Sequence, residues 1–574
     1  MSSTDNQAAA PYMEPLLSVR DLKVAFRTDK KIKEVVHGVS FDVYPGETVA
    51  IVGESGSGKS TTMHAVINLL PGTGHITGGS VRWNGRELVG IKSRPMERIR
   101  GREIGFVPQD PMSNLNPVWS VGFQVEEAVR ANGLAKGRKA VRERAIKVLE
   151  QAGLQDAEKR MKQYPHQFSG GMKQRALIGV GLSADPQLLI ADEPTSALDV
   201  TVQKVVLDHL ETRTSELGTA VVFITHDLGL AAERAEKLLV MYQGNIVEAG
   251  PSREILQDPR HPYTKRLVSA APSLASRRIG SDAVLPDAPV ESFDLASLAE
   301  GEVQVVGKGE PLVVVEDLTK VYKLRKGNFG SEDLVAVSKA NFTIRRGETM
   351  ALVGESGSGK STIAKMVLQL EPPTSGRIVI EGKDTTKLSA SELFTLRRTL
   401  QPVFQDPYGS LDPLYNIGNT IMEPLNVHGV GDMESRKARV LELLDQVALP
   451  RELATRYPNE LSGGQRQRVA VARGLALKPE ILVLDEAVSA LDVLVQAQIL
   501  ELLAELQRDL GLTYLFITHD LAVVRLIADR VCVMKQGEIV EQATTDEVFE
   551  NPQREYTKNL LAAIPGADIT LGAA

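Results

Sequence analysis

The sequence predicts an α/β fold that is built twice in tandem. An internal repeat is the first indication, because IVGESGSGKST at 51–61 returns as LVGESGSGKST at 352–362. The second is that each half contains short apolar runs of strand length separated by helical stretches, as in buried parallel sheets. The third is composition: 574 residues, 43% hydrophobic and 24% charged, are typical of a soluble globular protein and exclude a disordered, collagen-like or disulfide-scaffold chain.

The repeat extends well beyond the glycine-rich segment. From Ser169 and Ser462 onward, matching positions in the two halves keep a constant offset of 293 residues. A length near 150 residues per compact unit predicts roughly four such units in the chain. We divide it into a disordered tail at 1–15, a first repeat at 16–271, an acidic linker at 272–310 and a second repeat at 311–574. The linker holds seven acidic and three basic residues and shows no sustained helical or strand period.

Cysteine content and hydropathy narrow the classes of protein to which this chain can belong. Cys532 is the only cysteine, so an intrachain disulfide and a four-cysteine zinc or iron–sulfur site are excluded. The sequence lacks an apolar run near the 18 residues of a spanning helix, and its first residues lack the pattern of a signal peptide. We therefore expect a cytosolic chain whose membrane role would require a partner. The net charge of −7 gives no general attraction to nucleic acid.

Six apolar runs predict the parallel strands, at whose carboxyl ends the chemistry of an α/β sheet is expected. They lie at 48–52, 188–191, 220–224, 349–353, 481–484 and 514–517.

Both repeats contain the pattern G-x-x-x-x-G-K-[ST] between a strand and a helical stretch. Glycines let backbone N–H groups close around phosphates, Lys59 and Lys360 would reach the β- and γ-phosphates, and Ser60 and Ser361 would bind Mg²⁺. The candidate nucleotide-binding residues are Gly53, Ser55, Gly56, Gly58, Lys59, Ser60 and Thr61, with Gly354, Ser356, Gly357, Gly359, Lys360, Ser361 and Thr362.

Two acidic pairs follow apolar strands, at LLIADE and ILVLDE. We expect Asp192 and Asp485 to hold Mg²⁺, while the next residue, Glu193 or Glu486, polarises the attacking water. His226 and His519 lie 34 residues after the first acid of each pair, where they could contact the γ-phosphate.

An SGG segment precedes each acidic pair by 23 residues and leads into a helical run. A serine hydroxyl, bare backbone amides and a helix N-terminus together suit an anion. The candidate residues are Ser169, Gly170 and Gly171, with Ser462, Gly463, Gly464 and Gln465.

With these motifs in order, the chain resembles the ATP-binding cassette ATPases over nearly its whole length. The resemblance implies two tandem P-loop nucleotide-binding domains, each a RecA-like mixed-sheet core with an inserted helical subdomain, which bind ATP and Mg²⁺. It identifies Gln109 and Gln405 as Q-loop residues near the metal, and Asp199 and Asp492 as D-loop residues. It also implies a head-to-tail sandwich that pairs Lys59 with Ser462 and Lys360 with Ser169.

For the adenine, the resemblance points to an aromatic residue from the first strand region. Phe26 and Tyr322 match that place, although either could be a core residue instead. The chain departs from the family pattern at Met172, where glutamine is usual, and at Ala487 and Val488 in the second acidic motif. Since neither departure removes a catalytic group, we expect both sites to hydrolyse ATP.

Local sequence further resembles the dipeptide, oligopeptide and nickel importer ATPases. The resemblance rests on DPMSNLNP and DPYGSLDP after the Q-loop glutamines, on FSGGM in one half and LSGGQ in the other, and on HPYT at 261–264 with the weaker REYT at 554–557. It implies a peripheral subunit on the cytoplasmic face of the membrane, coupled to two transmembrane permease subunits and, through them, to an extracytoplasmic solute-binding protein. Trp119 and Tyr408 are candidate docking residues, with ordinary packing as the alternative.

The alternative function is a soluble tandem-cassette ATPase that acts on ribosomes or nucleic acid. A short acidic linker and the lack of zinc cysteines argue against it. An inactive scaffold is disfavoured because every catalytic position is present. The transported solute, whether peptide, nickel, haem or glutathione, would be selected by the partners.

Overall fold

The computed structural model describes residues 14–28, 31–109, 114–195, 198–272, 279, 310–326, 330–405, 409–489 and 491–566. These residues form two compact units that divide between residues 268 and 269, except that 199–201 group with the second unit. The expected tail and linker lie almost entirely outside the described residues, as does Tyr408.

The first unit contains an antiparallel sheet and a larger, mostly parallel one. Strands of the antiparallel sheet lie in the order β2-β1-β4-β5, and those of the larger sheet in the order β10-β9-β3-β8-β7-β6. Their bounds are β1 Leu17–Thr28, β2 Lys31–Val43, β3 Thr48–Val52, β4 His75–Trp83, β5 Arg86–Glu87, β6 Ile104–Val107, β7 Leu188–Asp192, β8 Ala220–Ile224, β9 Lys237–Tyr242 and β10 Asn245–Pro251.

The helices of the first unit either pack against its larger sheet or form a separate group. Their bounds are α1 Lys59–Val66, α2 Ser93–Ile99, α3 Val121–Ala131, α4 Arg138–Gln151, α5 Ala157–Arg160, α6 Gly170–Leu182, α7 Val200–Leu217, α8 Leu228–Arg234, α9 Ser252–Gln257 and α10 Pro262–Ala270.

The second unit repeats this architecture, with sheet orders β12-β11-β14-β15 and β16-β17-β18-β13-β19-β20. Its strands are β11 Pro311–Lys326, β12 Gly330–Arg345, β13 Thr349–Val353, β14 Ser375–Ile380, β15 Lys383–Asp384, β16 Leu400–Val403, β17 Ile481–Asp485, β18 Thr513–Ile517, β19 Arg530–Lys535 and β20 Glu538–Thr544. Its helices are α11 Lys360–Val367, α12 Ala390–Thr399, α13 Ile417–Val427, α14 Met433–Gln446, α15 Gly463–Leu475, α16 Val493–Leu510, α17 Leu521–Ile527, α18 Thr545–Glu550 and α19 Glu555–Leu561.

All six apolar runs form parallel strands, as predicted. In the first unit β3 lies between β8 and β9, and Ile51 pairs with Ile224 on one side and Leu239 on the other. Strands β7 and β8 are buried throughout, because apolar cores lie on both faces of this sheet. The carboxyl ends of β3, β7 and β8 therefore share one edge of the sheet, where the site lies.

A separate helical group confirms the expected helical subdomain. In α3, Val121, Val125 and Val129 recur every four residues and form one buried face. This face packs against α4 residues such as Val141 and Val148 in a cluster distinct from the cores that enclose the two sheets. In the part of the chain that the structure describes, none of the helices combines the length and apolar character needed to cross a membrane.

Candidate functional site

In each unit the glycine-rich loop joins a buried strand to a helix that begins at its lysine. In the first loop Lys59 is buried, and its ammonium donates to the carbonyl oxygens of Gly53 at 2.6 Å and Glu54 at 2.9 Å. Lys360 makes the same contacts with Gly354 at 2.7 Å and Glu355 at 2.8 Å. The ammonium of each lysine is thus held by carbonyl oxygens of its own loop.

The first glycine of each loop is required by the strand beside it. Gly53 has φ +146, and a Cβ there would lie 2.1 Å from the carbonyl oxygen of Met241. Gly354 has φ +147, with the carbonyl oxygen of Met534 at 2.2 Å. Only glycine lets the loop turn this close to the neighbouring strand. At the tip, Ser55, Gly56, Ser356 and Gly357 are exposed, as a phosphate-binding surface requires.

A serine and an aspartate meet next to each lysine. The hydroxyl of Ser60 donates to Oδ1 of Asp192 at 3.0 Å, and Ser361 donates to Oδ1 of Asp485 at 3.3 Å. Burial, with a contribution from the adjacent glutamate, raises the pKa of both aspartates. A hydroxyl and a carboxylate oxygen are ligands that Mg²⁺ takes when phosphates and water complete its shell, so this pair fits the expected metal.

The catalytic glutamates expected from the sequence lie between a glutamine and a histidine. Oε2 of Glu193 accepts from the Gln109 amide at 3.0 Å and lies 3.4 Å from Nδ1 of His226. In the second unit Glu486 accepts from Gln405 at 2.6 Å, with Nδ1 of His519 at 3.4 Å. In this structure the amides of Gln109 and Gln405 contact these glutamates, and their expected place near the metal stays a prediction.

Opposing effects act on the pKa values of these two glutamates. Burial opposes ionisation of Glu193, but the hydrogen bond and charge of His226 outweigh it, so the pKa of Glu193 is lowered. Burial likewise opposes protonation of His226, and the Glu193 carboxylate overcomes it and raises the His226 pKa. Glu486 and His519 show the same directions. Each glutamate is therefore an ionised acceptor at neutral pH.

Both glutamates have unusual backbone conformations. Glu193 has φ +44 and Glu486 has φ +49, in the left-handed region that side-chain-bearing residues seldom occupy. The N–H of Glu193 donates to the carbonyl of Ile224 at 2.9 Å, which ties the strained residue to strand β8. Such strain persists where the surroundings enforce it, often at active sites.

The SGG segments are helix N-termini, as predicted. Ser169 caps α6 by accepting from the N–H of Met172, and Ser462 caps α15 by accepting from Gln465, both at 3.3 Å. In the second unit the Gln465 side chain also accepts from the N–H of Ser462 at 3.0 Å, which completes a capping box. In the first unit the matching residue is Met172, whose side chain lacks the amide oxygen that accepts this hydrogen bond. Both serines are exposed.

The two D-loop aspartates lie next to helix starts. Asp199 is buried and accepts from the Thr201 hydroxyl at 2.8 Å. Asp492 caps α16 by accepting from the N–H of Val495 at 3.2 Å.

The two aromatic residues considered for adenine lie on corresponding strands, β1 and β11. Phe26 is half-buried and packs against the core beside Leu70 and Gly74. The Tyr322 hydroxyl donates to Glu371, and Lys320 lies 5.2 Å from the centre of the Tyr322 ring. Adenine stacking by Phe26 and Tyr322 stays a prediction.

Two groups of residues are revealed by the structure and were not among the predicted site residues. The tyrosine of each C-terminal segment, Tyr263 or Tyr556, hydrogen-bonds to the glycine-rich loop of its own unit. Tyr415 has the same offset from Trp119 as Gln405 has from Gln109, and it is exposed like Trp119. The constant offset between the repeats could have matched Tyr415 to Trp119, whereas the contact of each tyrosine with its loop has no local sequence signal.

Two family models match the sequence. The ABC transporter model matches residues 36–196 and 337–489, and the model of the oligopeptide/dipeptide transporter C-terminal region matches 247–292 and 540–572. Two complete phosphate loops, each with its acidic pair and histidine, define an ATP-binding cassette protein. The chain belongs to the ABC transporter family and contains two ATP-binding cassettes.

Curated relatives resemble the chain over nearly its full length. The glutathione import ATP-binding protein GsiA of Salmonella choleraesuis (strain SC-B67) is 45% identical over 564 residues, covering 96% of this chain and 90% of the relative. GsiA of Escherichia coli (strain K12) is 44% identical, with the same coverage. The oligopeptide transport ATP-binding protein OppD of Mycobacterium tuberculosis (strain ATCC 25618 / H37Rv) is 43% identical over 609 residues, covering 97% of this chain and 99% of the relative.

A solved dimeric ATP-binding cassette in a post-hydrolysis state, bound to ADP and Pi, is 35% identical, with a TM-score of 0.37. The match covers 41% of this chain and 98% of that one.

Proposed function

We propose that this chain is the ATP-hydrolysing subunit of an importer for peptides or related small solutes. The observation that carries the proposal is that each cassette has a complete set of hydrolytic residues, with Glu193 and Glu486 each held between a glutamine and a histidine. The match of both C-terminal segments to the oligopeptide/dipeptide transporter region supports the class of solute.

Within a cassette, the roles of the residues follow from their positions. Lys59 would place its ammonium against the β- and γ-phosphates, and the loop N–H groups would bind the remaining oxygens. Ser60 and Asp192 would hold Mg²⁺, which neutralises phosphate charge when bound. Glu193 would orient and polarise the attacking water, and His226 would keep that carboxylate ionised and oriented. The equivalent residues of the second cassette have the same roles.

We further propose that the two cassettes of one chain act as a pair, with each ATP between the phosphate loop of one cassette and the SGG serine of the other. Family membership and the presence of both elements in each half support this arrangement. It predicts that Ser462→Arg abolishes nucleotide trapping by the Lys360→Ala protein, whereas Ser169→Arg leaves that trapping intact. The reverse result would contradict the pairing.

The partners we propose are two transmembrane permease subunits and, through them, an extracytoplasmic solute-binding protein. Exposed apolar side chains follow each Q-loop glutamine and support this proposal. In the first cassette Val118 is 73% exposed, and exposed Trp119 stacks on Phe123 with 4.6 Å between ring centroids. Leu414 and Tyr415 are the equivalents in the second cassette, at 81% and 49% exposure. Large apolar groups exposed beside a catalytic loop suit a docked protein segment.

The test is purification of the tagged chain from its native membranes in mild detergent, followed by identification of what accompanies it. We expect two multi-spanning proteins, with loss of both from a Trp119→Ser, Tyr415→Ser variant. Ile32→Ser is the matched control, because Ile32 is 68% exposed on strand β2. Recovery with ribosomes or nucleic acid instead would favour the alternative function and contradict the importer.

A further inference from the structure

A tyrosine from the C-terminal segment reaches the phosphate loop of the first cassette. Tyr263 lies in the first turn of α10, far along the chain from the loop, and is only 1% exposed. Its hydroxyl accepts from the backbone N–H of Glu54 at 2.9 Å. Its ring stacks on Tyr242 of strand β9, with 4.2 Å between ring centroids. The hydroxyl is therefore held in place by a packed ring.

The peptide unit that Tyr263 binds is also the one that binds the lysine. The N–H of Glu54 and the carbonyl of Gly53 belong to one planar trans peptide, so they point in opposite directions. The Gly53 carbonyl accepts from Lys59 Nζ at 2.6 Å. Fixing the N–H with the tyrosine hydroxyl consequently fixes the carbonyl that positions the ammonium.

The second cassette has the same relay. The Tyr556 hydroxyl accepts from the N–H of Glu355 at 3.3 Å, and Gly354, in the same peptide unit, accepts from Lys360 at 2.7 Å. Lys535, the counterpart of Tyr242, lies 4.7 Å from the centre of the Tyr556 ring. The hydrogen bond to the loop is therefore present in both cassettes, although the residue packed on the tyrosine ring is aromatic in one and a cation in the other.

A glutamate on the last strand anchors each tyrosine segment. Glu248 on β10 accepts from the backbone N–H groups of Arg260 at 2.9 Å and His261 at 3.1 Å. Burial opposes ionisation of Glu248, but its hydrogen bonds outweigh burial and lower its pKa. On β20, Glu541 accepts from Gln553 at 2.8 Å and Arg554 at 3.2 Å. Each C-terminal helix therefore starts from a fixed point on its own sheet.

We propose that Tyr263 and Tyr556 are positioning residues for the phosphate-binding lysines, so that each C-terminal segment braces the ATP site of its own cassette. The proposal rests on ATP binding by the cassettes, which is part of the proposed function, and is independent of which solute or membrane partner is involved. The C-terminal segments thereby have a role in positioning the lysines, whereas their sequence alone indicated only a family relationship.

The test uses the full-length chain with one ATP site disabled. In a Lys360→Ala parent, we would measure the Kd for Mg-ATP and for Mg-ADP by equilibrium binding, with and without Tyr263→Phe. Phenylalanine keeps the stacked ring and removes only the hydroxyl. We expect Mg-ATP to bind about three- to tenfold more weakly, because without this hydrogen bond the Gly53–Glu54 peptide is less often in the orientation that positions Lys59. The change for Mg-ADP should be smaller, since ADP lacks the γ-phosphate that Lys59 would reach. Tyr556→Phe in a Lys59→Ala parent should behave in the same way.

Two controls separate positioning from a merely structural role. Tyr44→Phe removes a hydroxyl at the opposite end of strand β3 from the loop and should leave the Kd unchanged. Urea unfolding without nucleotide reports stability alone. A lowered stability with an unchanged Kd for the folded protein would overturn the proposal, as would equal weakening of Mg-ATP and Mg-ADP. A parent that binds no ATP would instead contradict the proposed function.

Discussion

Nδ1 of His226 lies 3.4 Å from the carboxylate of Glu193, and each group shifts the pKa of the other towards the ion pair. The same relationship recurs between His519 and Glu486 at the same distance. Two copies of one electrostatic arrangement, in a chain whose halves differ elsewhere, are what the prediction of two active sites requires.

Replacing either catalytic glutamate should reduce ATP turnover. Glu193→Gln and Glu486→Gln keep the side-chain shape but remove the carboxylate that polarises water. We expect each single variant to lose at least about half of kcat, and the double variant to fall at least about 100-fold. Steady-state phosphate release measures this, with thermal melting as the folding control. If one variant retained full turnover while the other had none, only one site would be active.

Asp192→Asn should weaken ATP binding only when Mg²⁺ is present. The substitution removes the charge next to Ser60 that suits a divalent cation, while the phosphate loop and Lys59 remain. In the Lys360→Ala parent, we expect the Kd for ATP to become independent of added Mg²⁺, and binding in EDTA to change less than about twofold. Equilibrium binding across a Mg²⁺ titration measures both. Retention of the full Mg²⁺ effect would exclude Asp192 as a metal-binding residue.

Gly53→Ala should distort the first phosphate loop far more than a glycine substitution in open space. The added Cβ would meet the Met241 carbonyl at 2.1 Å, so the loop or strand β9 must move. Gly46 also has positive φ, at +74, but a Cβ added there would meet nothing within 4 Å, so Gly46→Ala should cost only about 1 kcal/mol of backbone strain. Denaturant unfolding and ATP binding compare the two variants. Equal losses would contradict the close approach.

Cys532 should be unreactive in the folded protein. It is fully buried on strand β19, and burial raises the pKa of its thiol to about 12, so the thiolate is scarce at about pH 8. We expect no reaction with a disulfide reagent at that pH within an hour, and one thiol per chain after denaturation. Rapid labelling of the native protein would show that this sheet opens readily.

The sequence predicted the strands and the phosphate chemistry because local patterns determine them. Buried runs such as 48–52 indicate parallel strands without reference to the rest of the chain, and the glycine, lysine and serine spacing determines the loop. Local patterns could not predict the contact between Tyr263 and Glu54, because these residues are 209 positions apart in the sequence. The left-handed backbone conformation of Glu193 could not be predicted from the sequence either, because tertiary contacts enforce it.

Reconstitution in membranes would show whether peptide uptake depends on ATP hydrolysis by this chain. The chain would be inserted into proteoliposomes with its co-purified membrane subunits, and ATP turnover would be measured with the solute-binding protein and a short-peptide mixture on the opposite side from ATP. We predict several-fold stimulation of turnover, accompanied by peptide uptake, and loss of both in the Glu193→Gln, Glu486→Gln variant. Turnover that ignored the membrane subunits and peptides, without uptake, would contradict the importer.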